Sequence, residues 1–145
     1  RVTAFTSSDD KKQKALSMGA HDVLNTKNPA ELTAAAGRFD LILTTVNVKL
    51  DWNAYIATLR PKGRLHFLGV PLEPLDINVF PLIANQCTVS GSPVGSPAGI
   101  ATMLSFAQQH KIEPVVEIFR FDQVNEALAR LSSGQAKYRV VLSNQ

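Results

Sequence analysis

Residues Val2–Lys12 read VTAFTSSDDKK: a short apolar run, then hydroxyls, two acids and two lysines. Thr6, Ser7 and Ser8 offer O–H donors, and Lys11 and Lys12 offer cations about one helical turn further on. Hydroxyls plus ammonium groups suit a dianionic phosphate, because hydrogen bonds to ionised groups are the short, strong ones. At the end of a strand in a nucleotide-binding sheet, the next residues meet the adenosine ribose. An acid there holds the 2′-hydroxyl of NAD, whereas hydroxyls and cations accommodate the 2′-phosphate of NADP. Asp9 and Asp10 come late enough to sit at a helix start, where the dipole favours anions. The same residues also describe an ordinary serine-rich strand-to-helix turn with an N-cap.

Strand and helix signals alternate along the chain. Val2–Phe5 is apolar and strand-length, Asp9–Met18 reads as a helix stopped by Gly19, and Asp22–Asn25 is a short strand. Asn28-Pro29-Ala30-Glu31 is a helix start: Asn28 can cap, Pro29 has no amide hydrogen to leave unpaired, and Glu31 can reach back to the cap. That helix is expected to end at Gly37. Phe39–Thr45 is mostly apolar, as expected of a strand buried on both faces. Leu50–Leu59 reads as a helix, Pro61-Lys62-Gly63 as a turn and Arg64–Leu68 as a strand. Leu72–Asn78 is a loop, Val79–Asn85 a short helix and Cys87–Ser90 a strand. Ser96-Pro97 opens a helix with Ile100, Met103, Leu104 and Ala107 on one face. Val115–Arg120 is a strand, Asp122 caps a helix closed by Gly134, and Tyr138–Leu142 is a final strand. This order predicts an α/β fold, a doubly wound, Rossmann-like parallel sheet.

The strand ends read Thr6-Ser7-Ser8, Thr45-Val46-Asn47, Gly69-Val70-Pro71 and Gly91-Ser92-Pro93. All are small, polar or glycine, which lets a backbone approach a flat ring or a phosphate. They make tight turns equally well. Ligands of doubly wound sheets bind at this carboxyl edge.

Composition limits the function classes. The chain has 145 residues, 45% hydrophobic and 19% charged, with a net charge of +3. That is enough for a real core. No basic stripe with interleaved aromatics supports nucleic-acid binding. No apolar run approaches the roughly 20 residues that span a bilayer, and no signal peptide is visible, so cytoplasm is the expected compartment. The single cysteine, Cys87, excludes an internal disulfide. Trp52 and Tyr55 read as packing or interface groups, Asp51 as a cap, Asp40 as a loop acid, and His66 as a satisfied core histidine.

The stretches VTAFTSSDDKKQKALSMGAHDVLNT, FDLILTTVN, PKGRLHFLGVP, TVSGSPVGS and NEALARLSSGQAKYRVVL carry a further signal in their order and spacing. Through them the chain resembles, nearly end to end, the zinc-dependent medium-chain alcohol dehydrogenases, and among these the cinnamyl alcohol dehydrogenase-like NADP-dependent aldehyde reductases. The resemblance implies residues 1–93 as part of an NADP-binding Rossmann domain and 94–145 as a segment returning toward a catalytic domain. It implies Ser7, Ser8, Lys11 and Lys12 as the 2′-phosphate clamp, and Thr45 and Val46 beside the middle of the cofactor. Gly69 and Val70 would border the nicotinamide, with Gly91, Ser92 and Val94 in the last loop around it. Arg139 would lie near the pyrophosphate; it reads equally as a surface cation on a terminal strand. The implied substrate is an aldehyde or primary alcohol, and a homodimer through the strand at Cys87–Ser90 is expected.

The departures are specific. The glycine-rich G-x-G-x-x-G turn and the strand before it are not in the sequence. His21, His66, His110 and Cys87 show no ligand spacing, so zinc is expected in the parent enzyme without ligands in this chain, no catalytic residue is expected here, and the chain alone is expected to be inactive. The chain opens on Arg1 and enters a strand at once, which suggests a piece of a longer protein. The missing strand belongs between Val2–Phe5 and Phe39–Thr45, so two inner edges are expected to lack partners unless preceding residues or another copy supply one. A stand-alone nucleotide-binding or regulatory module, and a zinc-free NADPH quinone reductase-like protein, are the alternative readings.

Overall fold

A computed structural model describes residues 1–144. The chain forms two compact units, Arg1–Pro93 and the residues from Val94 onward. In the first unit strands and helices alternate: β1 (Thr3–Thr6), α1 (Asp10–Ser17), β2 (Asp22–Asn25), α2 (Pro29–Ala34), β3 (Phe39–Thr44), α3 (Trp52–Ala57), β4 (Leu59–Phe67), α4 (Val79–Asn85) and β5 (Thr88–Gly91). Every strand pair is parallel: β1 with β2, β3 with β4, and β4 with β5. The expected gap is present. β1 and β3 are not hydrogen-bonded to each other, so the sheet divides into β1-β2 and β3-β4-β5.

A cleft of about 1140 Å³ lies along that division, walled by β1 on one side and β3 on the other. Its two long edges carry strand N–H and C=O groups without ladder partners among the described residues. Aromatic side chains join the two half-sheets beside it. Phe5 of β1 meets Phe39 of β3 edge-on at 5.3 Å between ring centroids, and Tyr55 of α3 at 5.5 Å. Tyr55 leads on to Trp52 at 5.9 Å, and Trp52 to Phe67 at 4.9 Å. Ile42, Ile56, Leu59 and Leu65 complete this core. Trp52 and Tyr55 are therefore packing groups, and burial pushes the Tyr55 phenol upward in pKa.

Several local expectations change. β3 is buried on one face only: Ile42 and Thr44 are covered, while Leu41 and Leu43 on the alternate face are 51% and 58% exposed. Within this unit α3 covers one side of β3, and the other has no helix on it. Pro61-Lys62-Gly63 is not a separate turn. It lies inside β4 as an irregularity, with Lys62 at φ 64° and the register slipping between Phe39 and Leu41. Its position beside β3 leaves no room for a side chain at Gly63, where a Cβ would stand 2.8 Å from the Arg60 carbonyl. The second helix ends at Ala34, and Gly37 follows at φ 66°.

Glu31 does more than the capping reach expected of it. Asn28 caps α2 by accepting the Ala30 N–H at 3.2 Å, and Pro29 opens the helix. Glu31 Oε2 accepts the Asn25 backbone N–H at 2.7 Å, and its Oε1 accepts Asn28 Nδ2 and Lys12 Nζ, each at 3.3 Å. One carboxylate thereby ties α1, the end of β2 and the start of α2 together.

In the second unit α5 (Pro97–Gln109) begins at Ser96, whose hydroxyl accepts the Gly99 N–H at 3.2 Å. β6 (Val116–Arg120) and β7 (Arg139–Ser143) pair in parallel around α6 (Val124–Ser132). Asp122 does not cap α6. It sits in a short 3-10 turn, Phe121–Gln123, and pairs with Arg120 at 2.7 Å. Glu117 of β6 binds Arg130 of α6 at 2.9 Å and accepts the Lys137 N–H at 2.7 Å, which fixes the approach to β7. No helix among the described residues is long and apolar enough to cross a membrane.

Two outcomes follow for folding. Phe5→Ala removes the ring that links the half-sheets and should lower stability by about 2–3 kcal/mol, read from urea unfolding by Trp52 fluorescence; an unchanged midpoint would show that the aromatic link is dispensable. The second concerns acid. The Asn25 N–H, then Lys12 and Asn28, hold the Glu31 carboxyl below its ordinary range. Such a group contributes stability that is present above the unfolded value of about 4.3 and is lost as pH falls through the folded one. Glu31→Gln should therefore lower the urea midpoint at about pH 7 and flatten its fall between about pH 5 and pH 3. A variant curve parallel to wild type would contradict this.

Candidate functional site

The carboxyl end of β1 is built by its neighbours. The Thr6 carbonyl accepts both the Thr26 N–H at 2.7 Å and the Thr26 hydroxyl at 3.0 Å, which extends the β1-β2 ladder by one residue. The Thr6 hydroxyl donates to the Ser8 carbonyl at 2.8 Å and closes the turn. α1 then starts without a side-chain cap, because Asp9 at the cap position accepts no backbone N–H. The ordinary capped turn is thus not what these hydroxyls form. Ser7 and Ser8 keep their hydroxyls free of hydrogen bonds among the described residues, and Ser7 lines the cleft with Thr6.

The two lysines separate. Lys11 is exposed, forms no ion pair among the described residues, and lines the cleft. Lys12 is held by Asp9 at 2.8 Å and Glu31 at 3.3 Å. Asp9 raises the pKa of the Lys12 ammonium, and Lys12 in turn lowers that of Asp9. The acid nearest the serines is therefore turned toward Lys12. The turn offers hydroxyl donors and one unpaired cation, a donor set that fits a phosphate.

Across the cleft, Thr45 and Val46 follow β3 and line the same space. They also bound the next loop. Thr44's carbonyl accepts the Leu68 and Gly69 N–H groups at 2.8 and 3.0 Å. A Cβ on Gly69 would stand 2.3 Å from the Val46 carbonyl and 2.6 Å from that of Thr45, so only glycine fits there. Val70, just beyond, is 69% exposed. Gly91 lies against Phe67, and the Ser92 N–H donates to the Phe67 carbonyl at 3.2 Å. Ser7, Lys11, Thr45 and Val46 thus share one cleft, and Gly69 and Gly91 stand beside successive strand ends. Val94 and Arg139 belong to the second unit, where Val94 is 90% exposed and Arg139 is an exposed residue at the start of β7.

Thr26 and Glu31 are the contributors that sequence patterning missed as site-shaping residues. Their positions after β2 and in α2 give no signal until the β1-β2 pairing is known. Among the described residues, no group of three or more His, Cys, Asp or Glu side chains could hold a metal ion.

Comparison with known proteins places this geometry. Residues 1–109 match the family described as zinc-binding dehydrogenase. Aldehyde reductase AdhA of Synechocystis sp. is 62% identical over 143 residues, covering 99% of this chain and 43% of that protein. A cinnamyl alcohol dehydrogenase structure from Sorghum bicolor superposes with a TM-score of 0.91 at 34% identity, over 97% of this chain and 40% of that one. The CAD of Helicobacter pylori, solved complexed with NADP(H), gives 0.80 at 28% identity, over 98% and 40%. The chain spans about two fifths of the length of each of these relatives. With the divided parallel sheet, the small-residue strand ends and a family match over residues 1–109, the chain belongs to the zinc-binding dehydrogenase family.

Proposed function

We propose that the chain is the cofactor-side part of an NADP-dependent alcohol dehydrogenase or aldehyde reductase. The observation that carries this is the turn Thr6–Lys11: Ser7 and the unpaired Lys11 open on the cleft, Ser8 beside them keeps a free hydroxyl, and the nearest acid is engaged by Lys12. Ser7, Ser8 and Lys11 would hold the 2′-phosphate, and Lys12 would brace the turn. Thr45 and Val46 would pass the middle of the cofactor, and Gly69, Val70, Gly91, Ser92 and Val94 would border the nicotinamide. The likeness to a structure complexed with NADP(H) supports the same choice of cofactor. When bound, NADPH supplies the reducing equivalent that interconverts an aldehyde and a primary alcohol.

The cleft between β1 and β3 is read as the seat of one further parallel strand, because two facing edges with unpaired backbone groups are satisfied by a single inserted strand. The family's zinc would be held by other parts of the parent enzyme and not by this chain, and this chain by itself would not turn over substrate. Two copies would pair along the outer edge of β5, the last strand of the β3-β4-β5 sheet.

Calorimetric titration of the full-length protein with 2′,5′-ADP and 5′-AMP tests the reading. The expected result is at least about ten-fold tighter binding of 2′,5′-ADP, corresponding to one or more charge-assisted contacts. Lys11→Ala should remove most of that preference. Lys12→Ala should weaken both ligands alike and leave the preference in place. Equal binding of the two ligands by wild type, or loss of preference in the Lys12 variant alone, would overturn it.

A further inference from the structure

His66 lies in β4 directly opposite Ser90 of β5 in the parallel register. Its Nδ1 is 2.9 Å from the Ser90 hydroxyl, and its Nε2 is 3.0 Å from the Ser92 hydroxyl. Ser90 and Ser92 are two residues apart, so in extended chain their side chains leave the same face. One imidazole therefore spans an i, i+2 pair on the neighbouring strand, and the residue between them is Gly91. Glycine is the residue most free to leave an extended conformation. Ser92 is past the last paired residue of β5, yet its N–H still donates to the Phe67 carbonyl at 3.2 Å. The imidazole and that carbonyl come from consecutive β4 residues, so the loop is held by side chain and backbone at once. Without the imidazole, one exposed backbone bond would be left to hold a glycine hinge followed by Pro93.

We propose that His66 is a positioning residue for the cofactor loop: it pins Ser92 and so sets the height of the Gly91–Pro93 backbone at the sheet edge. This rests on the reading that Gly91 and Ser92 border the nicotinamide. A histidine suits the task because its two ring nitrogens are both hydrogen-bonding atoms, on opposite sides of one rigid ring, and each hydroxyl can rotate to donate or accept. The side chains that alternate with it, those of Leu65 and Phe67, pack in the core instead, so His66 is the β4 side chain that reaches the Ser92 hydroxyl.

The test uses the full-length protein and two readouts. In cofactor-free protein, amide hydrogen exchange at Ser92 should speed up by about ten-fold in His66→Leu, the equivalent of one net hydrogen bond, with the β1 and β2 amides unchanged. By calorimetry, His66→Leu should weaken NADPH by about three- to ten-fold and leave 2′,5′-ADP unchanged, because that ligand lacks the nicotinamide half. Ser92→Ala should reproduce both effects, Ser92→Thr should restore them, and the double variant should be no worse than either single one, the mark of one shared interaction. Unchanged exchange at Ser92, equal weakening of NADPH and 2′,5′-ADP, or additive single effects would overturn the proposal. Failure of wild type to bind 2′,5′-ADP would instead overturn the underlying cofactor reading, and the proposal with it.

Discussion

The contact of Phe5 with Phe39 and Tyr55 is the interaction on which the first unit depends. β1-β2 and β3-β4-β5 share no ladder hydrogen bond, so nothing in the sheet itself holds them in one plane. Edge-to-face aromatic pairs contribute only about 0.5–1.5 kcal/mol each beyond their buried area. Here they are continuous with the buried cluster around Trp52 and Leu65, so the small pair terms act on a core that is already formed. The cleft keeps its two walls because this aromatic floor joins them. The site residues at its carboxyl end inherit their spacing from it.

From that floor the constraints run toward the strand ends. Thr26 carries the β1-β2 ladder one residue past Asn25, Thr6 closes the turn, and the Glu31 carboxylate fixes Lys12 so that α1 starts in a defined place. On the other wall the Val46 and Thr45 carbonyls press against Gly69, where no larger residue fits. His66 then carries the order one strand further, to the loop after β5. Each step is a short-range contact between neighbouring parallel strands. Small polar residues at strand ends are therefore held in place while remaining accessible.

Much of this was legible in the sequence where local chemistry decides. β2 and α4 lie where periodicity placed them, and Asn28, Asp51 and Ser96 cap the helices their types predict. The gap between β1 and β3 follows from the strand order that the family resemblance implies. Less legible was whatever depends on pairing. β3 reads as buried on both faces because Leu41 and Leu43 are apolar, yet nothing in the first unit covers them. Pro61-Lys62-Gly63 reads as a turn but is carried within β4, since the strand continues across an irregular register. Lys11 and Lys12 are indistinguishable as letters. Only the placement of Asp9 and Glu31 around one of them separates a free cation from a paired one. His66 reads as a bland core histidine until the β4-β5 register puts a hydroxyl on each ring nitrogen.

On the proposed reading, the divided sheet is a cofactor crevice whose phosphate end is the Ser7–Lys11 turn. A crystal structure of the full-length protein with bound NADP tests it most directly. The expected structure has a parallel strand seated between β1 and β3, the 2′-phosphate within hydrogen-bonding distance of the Ser7 and Ser8 hydroxyls and of Lys11, and Lys12 still paired with Asp9 and Glu31. A phosphate bound elsewhere, or β1 and β3 hydrogen-bonded directly to each other, would contradict it.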